Sequence, residues 1–530
     1  MTLTEEIRIA DDAGTRVGWR GWAALIVLML PVLLVSVDNT VLSFAIPAIA
    51  EDLAPSSAQQ LWIVDAYPLV LAGLLVTMGT FGDRFGRRRM LLIGATGFAV
   101  VSLLAAFAPT AAALIVARAA MGVFGAMLMP STLSLLRSIF TDRNQRRLAI
   151  AVWASMFSAG SAIGPVVGGF LLEHFAWGSV FLLSVPVLVP LLVFAPLLVP
   201  ESRDPHPGRF DPASILLSML TMVPVVYAIK EIAVHGLGAL PIVLAVAGVG
   251  FGILFVRRQL RATAPMLDMR LFRRGRFSGA LLVNLLSVIA LVGFLYFVSQ
   301  HLQLVMGLSP MDAGLALVPG MAAMIAAGLT VVPIARRIDA RIVVPTGLVF
   351  SVAAYLLIAL GAGTTVTGLA IAFVVLGIGI GIAETVSNDL ILASVPPAKA
   401  GAASAVSETA YELGAVLGTT VLGGILTALY RSGIAIPAGV PTDAADAARE
   451  TLAGAFVAAQ QLPDAIGDAL REAAALAFES GVTVTAIIGA VLVVGAGVIA
   501  ATTLGAVPTA PEASTQESNV ARRETGRHPG

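Results

Sequence analysis

The sequence predicts an all-α polytopic membrane protein of fourteen transmembrane helices, built as two six-helix bundles with two further helices inserted between them. Three observations predict it. Hydrophobic residues make up 58% of the 530-residue chain and charged ones only 12%, far from globular composition. Apolar runs of about 20 residues, enough to cross a ~30 Å hydrocarbon core as a helix, recur from end to end. Finally, Lys and Arg crowd into every second junction between those runs.

The runs, bounded by charges, Pro or Gly, are taken in order. A basic tail, 1–21, precedes the first run, 22–49, which is too long for a signal peptide and lacks a small-residue cleavage site. Runs at 61–81, 89–108, 112–136, 148–171 and 177–199 complete a first bundle, 22–199. Two runs at 212–230 and 239–256 lie in the inserted region, 200–275, with its basic linkers. Further runs at 277–302, 311–334, 341–361, 366–392, 401–428 and 482–504 form the second bundle, 276–504. It includes one long loop, 429–480, whose Ala-rich stretch at 443–479 can make a pair of short amphipathic helices. The polar tail, 505–530, is expected to be disordered.

Charge placement gives the orientation. Arg84, Arg87, Arg88 and Arg89, then Arg137, Arg143, Arg146 and Arg147, and corresponding clusters through Lys399 fall on one side, together with both tails. The other side carries only Lys230, Arg431, Arg449 and Arg471. Because cations concentrate in cytoplasmic loops, both termini are expected in the cytoplasm.

Composition also excludes chemistry. With no cysteine there is no disulfide framework or thiolate metal site, and the five histidines are scattered. No phosphate-cradling GxxxxGK, HExxH or GxSxG sequence is present, so neither a membrane-embedded enzyme nor a nucleotide-driven pump is supported. A receptor or scaffold would not explain the buried acids described below. The chain also echoes itself: Gly160, Gly164, Gly168 and Gly169 are answered by Gly414, Gly418, Gly423 and Gly424, and Asp65 by Asp312. Duplicated halves suit a transporter that rocks about a midplane site.

The loop after the second run, Gly79-Thr-Phe-Gly-Asp-Arg-Phe-Gly-Arg-Arg-Arg89, resembles the signature loop of the major facilitator superfamily. Gly79, Gly82 and Gly86 let helix ends approach, and Asp83 beside Arg84 and Arg87 can form a charge network that latches the cytoplasmic side closed. Arg118, within LIVARAAMGVFGA, resembles the family's buried arginine; it is read as the only cation inside any span, a placement that costs several kcal/mol unless paired. Gly160-Ser-Ala-Ile-Gly164-Pro165-Val-Val-Gly168-Gly169 resembles the family's antiporter motif. Its glycines make a close-packing face, and Pro165 is expected to bend the helix.

Asp38-Asn-Thr40 in the first run, Leu61-Trp62-Ile-Val-Asp65-Ala-Tyr67, and Ser407-Glu408-Thr-Ala-Tyr411-Glu412 resemble segments of the fourteen-span drug:proton antiporters, the family of the quaternary-ammonium pumps. The resemblance covers nearly all of residues 20–504. It implies a major facilitator fold in a bacterial inner membrane and proton-motive export of lipophilic cations without a cofactor. Quaternary ammonium compounds, ethidium, acriflavine and fluoroquinolones are the implied substrates. Protons, membrane lipid and small cations are the expected partners, with no nucleic acid, and the chain is expected to be a monomer. Export of an endogenous lipid or metabolite is the alternative within transporters.

The residues carry the same reading. Asp38, Asp65, Glu384, Asp389, Glu408 and Glu412 fall within spans and Asp312 at an edge, against Arg118 alone. Such a passage favours cations. Glu408 and Glu412, four residues apart, share a helix face. Burial disfavours a charged carboxylate while a nearby cation favours it, so proton and cationic guest compete. A monocation moves against about 2.3 kcal/mol per 100 mV, so useful export needs more than one proton per cycle. Asp38, Arg118, Asp389, Glu408 and Glu412 are the expected proton-coupling set. The expected substrate site comprises Asp38, Asp65, Asp312, Glu384 and Glu412, with Trp62, Tyr67, Trp153 and Phe157 for cation–π and dispersion contacts.

Overall fold

The computed structural model describes residues 17–203, 211–262, 269–395 and 400–505. The tails up to residue 16 and from 506, the middles of the linkers around the inserted helices, and residues 396–399 with the expected inside cation Lys399 fall outside the described residues. Among the described residues, thirteen helices are long and apolar enough to span a membrane, and a bent one makes fourteen.

The first half comprises α1 (Trp19–Leu53), α2 (Ser57–Phe85), α3 (Arg87–Ala106), α4 (Ala111–Ile139), α5 (Arg143–His174) and α6 (Ser179–Leu198). The start of α2 is fixed by a capping box: Ser56 accepts from the Gln59 amide while Gln59 reaches back to the Ser56 amide. Gly86, at φ +114°, makes the sharp turn into α3, a backbone region in which a side chain would be strained. The bent helix is α5, which turns by 40° between Ser161 and Ile163. Pro165 has no amide to give the carbonyl four residues before it, so the break falls there.

The inserted pair is α7 (Pro212–His235) and α8 (Ala239–Arg261). They pack on each other, and α7 alone leans on α2 and the far end of the thirteenth helix. The second half comprises α9 (Gly275–Val305), α10 (Pro310–Ala335), α11 (Ala340–Ala359), α12 (Val366–Ala393) and α13 (Ala403–Gly433). It continues through two short helices, α14 (Thr442–Glu450) and α15 (Leu452–Gln460), to the last span, α16 (Asp464–Thr503). The expected amphipathic pair differs in one respect. Residues 464–481 do not form a separate short helix but extend α16, because no proline interrupts the Ala-rich stretch after Pro463.

The halves are related by a pseudo-twofold arrangement. In the first, α1 packs on α5 and α6, and α4 on α2 and α3; in the second, α9 packs on α13 and α16, and α12 on α10 and α11. Across the middle, α5 meets α10 and α2 meets α13. Each such contact is possible because small residues line it. A Cβ on Gly164 would lie 1.9 Å from the Thr40 hydroxyl oxygen, and one on Gly314 would lie 2.3 Å from the Pro165 carbonyl oxygen.

The glycine echo fits this symmetry, since Gly160 lies against Ser36 on α1 and Gly414 against Val288 on α9. The acidic echo does not. Asp65 lies eight residues beyond the start of α2, fully buried, whereas Asp312 lies two residues beyond the start of α10, exposed, and bonded to the capping Ser309.

The two ends of the bundle differ. One, the basic end, carries the α2–α3 turn. There Arg87 pairs with Asp83 at 2.8 Å, and Glu201 accepts from the Arg88 amide at 3.0 Å. The other, the hairpin end, carries α14 and α15, with α15 resting on α1, α9 and α16. Here Glu450 accepts from the Ser57 amide at 3.1 Å and pairs with Arg431 at 2.5 Å, and the Ser57 hydroxyl donates to the Glu450 carbonyl. The short helices thereby sit over the seam between α2 and α13.

Candidate functional site

Between the halves lies a small cavity walled by both. Asn39 on α1, Asp65 on α2, Arg118 on α4, Phe157 on α5, Glu384 on α12 and Tyr411 on α13 all face it. Met321 and Met324 on α10 and Leu291, Val292 and Leu295 on α9 supply apolar wall. Hydrogen bonds and a ring contact join the halves at this level and nearer the hairpin end. At mid-depth are Asn39 with Glu412, and Phe157 with Tyr411, rings edge to face at 5.5 Å. Beyond are Thr420 with Asp65, Gln303 with the Phe44 carbonyl, and Ser309 with Glu173. These links join the halves at the cavity and toward the hairpin end.

Arg118 is 1% exposed. Its guanidinium donates to Asp38 at 2.7 Å and to the Ile63 carbonyl at 3.2 Å, and it lies 4.7 Å from the Tyr67 ring centroid. An isolated charge at that depth would be expensive; a carboxylate, a carbonyl and an aromatic face together make it tolerable. Asn39, beside Asp38 on α1, donates to Glu412 at 3.4 Å. The other Glu412 oxygen is buried and has no hydrogen-bond partner among the described residues. Glu408 lies one turn of α13 nearer the basic end, partly buried like Glu384. Among the described residues none of Glu384, Glu408 and Glu412 is ion-paired, and all three belong to the second half.

One expectation is overturned. Arg118 is not the only cation inside the bundle, because α7 continues through His235 and carries Lys230 inward, 1% exposed. The Lys230 ammonium pairs with Asp65 at 2.8 Å, donates to the Leu61 carbonyl at 2.9 Å and lies 4.1 Å from the Trp62 ring centroid. The two buried cations thus compensate Asp38 and Asp65, one each.

Other expected site residues lie apart from the cavity. Asp389 is exposed on α12, not buried, since it points away from the inward face centred on Ala383, Ser387, Leu390 and Ile391. Asp312 is exposed at the hairpin end and serves the start of α10. Trp153 packs in the first half and donates to the Thr132 hydroxyl at 3.2 Å. Tyr67 is fully buried beneath Arg118, and Trp62 faces α7, where Tyr227 lies 6.3 Å away. The latch residues form their network within the first half: Asp83 with Arg87, and Arg88 and Arg89 with Glu201 at 4.0 Å. Arg84 lies over Phe85, Gly79 abuts Pro130, and Gly82 abuts Ser131. No described residue of the second half joins that network. Asn39, Lys230 and Thr420 are among the polar residues that sequence reasoning did not single out. Asn39 stood inside a recognised motif. Lys230 is one of two lysines in the chain, between Ile229 and Glu231 near the end of an apolar run.

Two apposed six-helix halves, an inserted pair and a polar mid-depth cavity define a multi-pass membrane transporter rather than an enzyme. The chain belongs to the Major Facilitator Superfamily, whose pattern it matches over residues 28–419. It is 58% identical over 486 residues to the multidrug efflux pump LfrA of Mycolicibacterium smegmatis, covering 92% of this chain and 96% of that one. It is 35% identical to the methyl viologen resistance protein SmvA of Salmonella typhimurium, covering 87% and 93%. It is 31% identical to the tetracenomycin C resistance and export protein of Streptomyces glaucescens, covering 94% of each. Among solved structures, a bacterial homologue of the human lysosomal transporter Spinster superposes with a TM-score of 0.67 at 16% identity, covering 94% of this chain and all of that one.

Proposed function

We propose that this transporter exports lipophilic cationic drugs in exchange for protons across a bacterial inner membrane, by alternating access. The observation that carries the reading is the charge imbalance at mid-depth: Glu384 in the cavity wall, and Glu408 and Glu412 on the same helix as the lining Tyr411, have no ion-pair partner among the described residues, while both buried cations are already engaged. Names of relatives such as a multidrug efflux pump and a methyl viologen resistance protein support it.

The chemistry follows from charge compensation. A buried carboxylate is tolerated when a proton neutralises it or when a cation sits beside it, and one site does not hold both. A deprotonated site takes the cation; proton entry releases it. The ring pair Phe157 and Tyr411 and the thioethers of Met321 and Met324 offer soft, polarisable surface to the lipophilic part of the guest. Arg118 holds Asp38 and, through neighbouring Asn39, the two halves sense each other's charge. With the basic end in the cytoplasm, as the arginine distribution supports, the cavity here is reached from inside and sealed beneath α14 and α15. Opening the other way would require the glycine-lined contact of α5 with α10 and the contact of α2 with α13 to part. A single chain contains the whole site, so we read the working unit as a monomer in lipid.

Efflux of ethidium from energised cells tests the reading. Wild-type protein should lower accumulation and a protonophore should abolish the effect; Glu412→Gln should export poorly at normal abundance. Export that is indifferent to the protonophore and to neutralising Glu384, Glu408 and Glu412 together would overturn it.

A further inference from the structure

Lys230 stands on an inserted helix with no counterpart in either half, and α7 and α8 are the least enclosed helices, with only 17% and 11% of their apolar stretches buried. A helix that mostly faces lipid has no packing need for a buried ammonium. The ammonium nonetheless occupies a complete cation site: the Asp65 carboxylate, the Leu61 carbonyl, and the face of Trp62 at 4.1 Å. Carboxylate plus indole face is the chemistry that recognises an alkylammonium guest. Asp65 also lines the central cavity, and its second oxygen has no hydrogen-bond partner among the described residues. The site is therefore a wall between the cavity and α7.

Its position on the seam matters as well. The Asp65 oxygen that binds Lys230 also accepts from Thr420 of α13 at 2.8 Å, so α2, α7 and α13 meet at one atom. Parting α2 from α13 removes Thr420 and loosens this point first.

We infer that Lys230 is a tethered surrogate cation: it fills the Asp65–Trp62 site while the hairpin end is shut, and yields Asp65 to the cationic substrate as that end opens. The inference rests on the cation-export reading above. Exchange of one cation for another keeps the buried carboxylate compensated throughout, with no stage at which an ionised Asp65 is left bare in a low-dielectric seam. It also gives the inserted helices a role: they carry the competitor that makes drug binding at Asp65 conditional on conformation.

The test uses purified full-length protein with equilibrium binding of radiolabelled tetraphenylphosphonium, and ethidium export in proteoliposomes. Lys230→Gln exposes Asp65 permanently. It should tighten binding by at least about tenfold, because one buried charge is left uncompensated, while slowing export, because release no longer has a competitor. Lys230→Arg should retain both. The double variant Lys230→Gln, Asp65→Asn should lose the affinity gained by Lys230→Gln and still export poorly. A static ion pair predicts the opposite for the double variant, full restoration of export, and no gain of affinity in Lys230→Gln; either result overturns the inference. Should wild-type protein not export ethidium at all, the cation-export reading fails instead. Should Lys230→Gln fail to fold, the folded double variant and Lys230→Arg still decide the matter.

Discussion

Asn39 and Glu412 form a hydrogen bond of 3.4 Å between the two halves of the bundle, one residue along from the Asp38–Arg118 pair. A buried network of this kind carries more than its pairwise bonds suggest, because each member fixes the charge environment of the next. Replacing Asn39 by Leu leaves Glu412 without its donor and uncouples it from the first half. Ethidium export is expected to fall by about tenfold, the effect of one lost hydrogen bond to a charged group. Thermal stability in detergent should change little, since Asn39 is only partly buried.

Asp38→Asn removes the charge that compensates Arg118 but keeps a hydrogen-bond acceptor at 2.7 Å. Export should be lost with near-normal expression. Asp38→Leu removes the acceptor as well, and breaking a buried pair costs about 3–5 kcal/mol, so its thermal midpoint should drop below that of Asp38→Asn. Comparing the two by export and melting separates coupling from assembly; equal activity in both and in wild type would take Asp38 out of the mechanism.

The α5–α10 contact gives a steric prediction. A Cβ on Gly314 would lie 2.3 Å from the Pro165 carbonyl oxygen, and one on Gly169 would lie 2.6 Å from the Pro310 carbonyl oxygen. Backbone cannot yield as a flexible side chain does, so Gly314→Leu should hold the hairpin end ajar. The chain has no cysteine, so a single one introduced at Ala415 in the cavity wall reports access. A membrane-impermeant maleimide added outside should label Ala415→Cys slowly in the parent and several-fold faster with Gly314→Leu.

At the basic end, Asp211 caps α7 and pairs with Arg258 at 2.8 Å. The Arg258 hydrogen bonds pull its carboxyl down to about 2, against the partial loss of hydration. Because the folded value is depressed, its stabilisation is present above the ordinary carboxylate range and is lost only as pH falls through about 2. Asp211 therefore contributes nothing to any pH dependence of export near neutrality. Asp211→Asn should lower the melting temperature at pH 7 slightly and leave the export profile from pH 6 to pH 8 unchanged.

Helix positions and the twofold plan were readable in the sequence because each rests on local signals: apolar length, arginine-rich turns and glycines at four-residue spacing. Arg118 and Asp38 were readable for a related reason, since a charge deep in an apolar run must have a partner. What escaped depends on how far a helix runs and which side it presents. Ending the seventh span at residue 230 turned Lys230 into a loop residue, whereas α7 runs to His235 and buries it. Asp389 and Asp312 fell within apolar runs yet face outward, because hydropathy along the chain does not give rotation about the helix. Nor does sequence state which end of the bundle is shut, so the Asp83 network is seen only within its own half.

The central claim is that proton and cation compete for the same carboxylates. Its most direct measurement is simultaneous recording of lumenal pH and ethidium in proteoliposomes holding purified protein. Ethidium added against an imposed pH gradient should drive proton movement in the opposite direction, with more than one proton per cation. Replacing Glu384, Glu408 and Glu412 by glutamine should abolish both signals together. Ethidium movement at an undiminished rate with neither pH gradient nor voltage, or unchanged in the triple variant, would contradict the account.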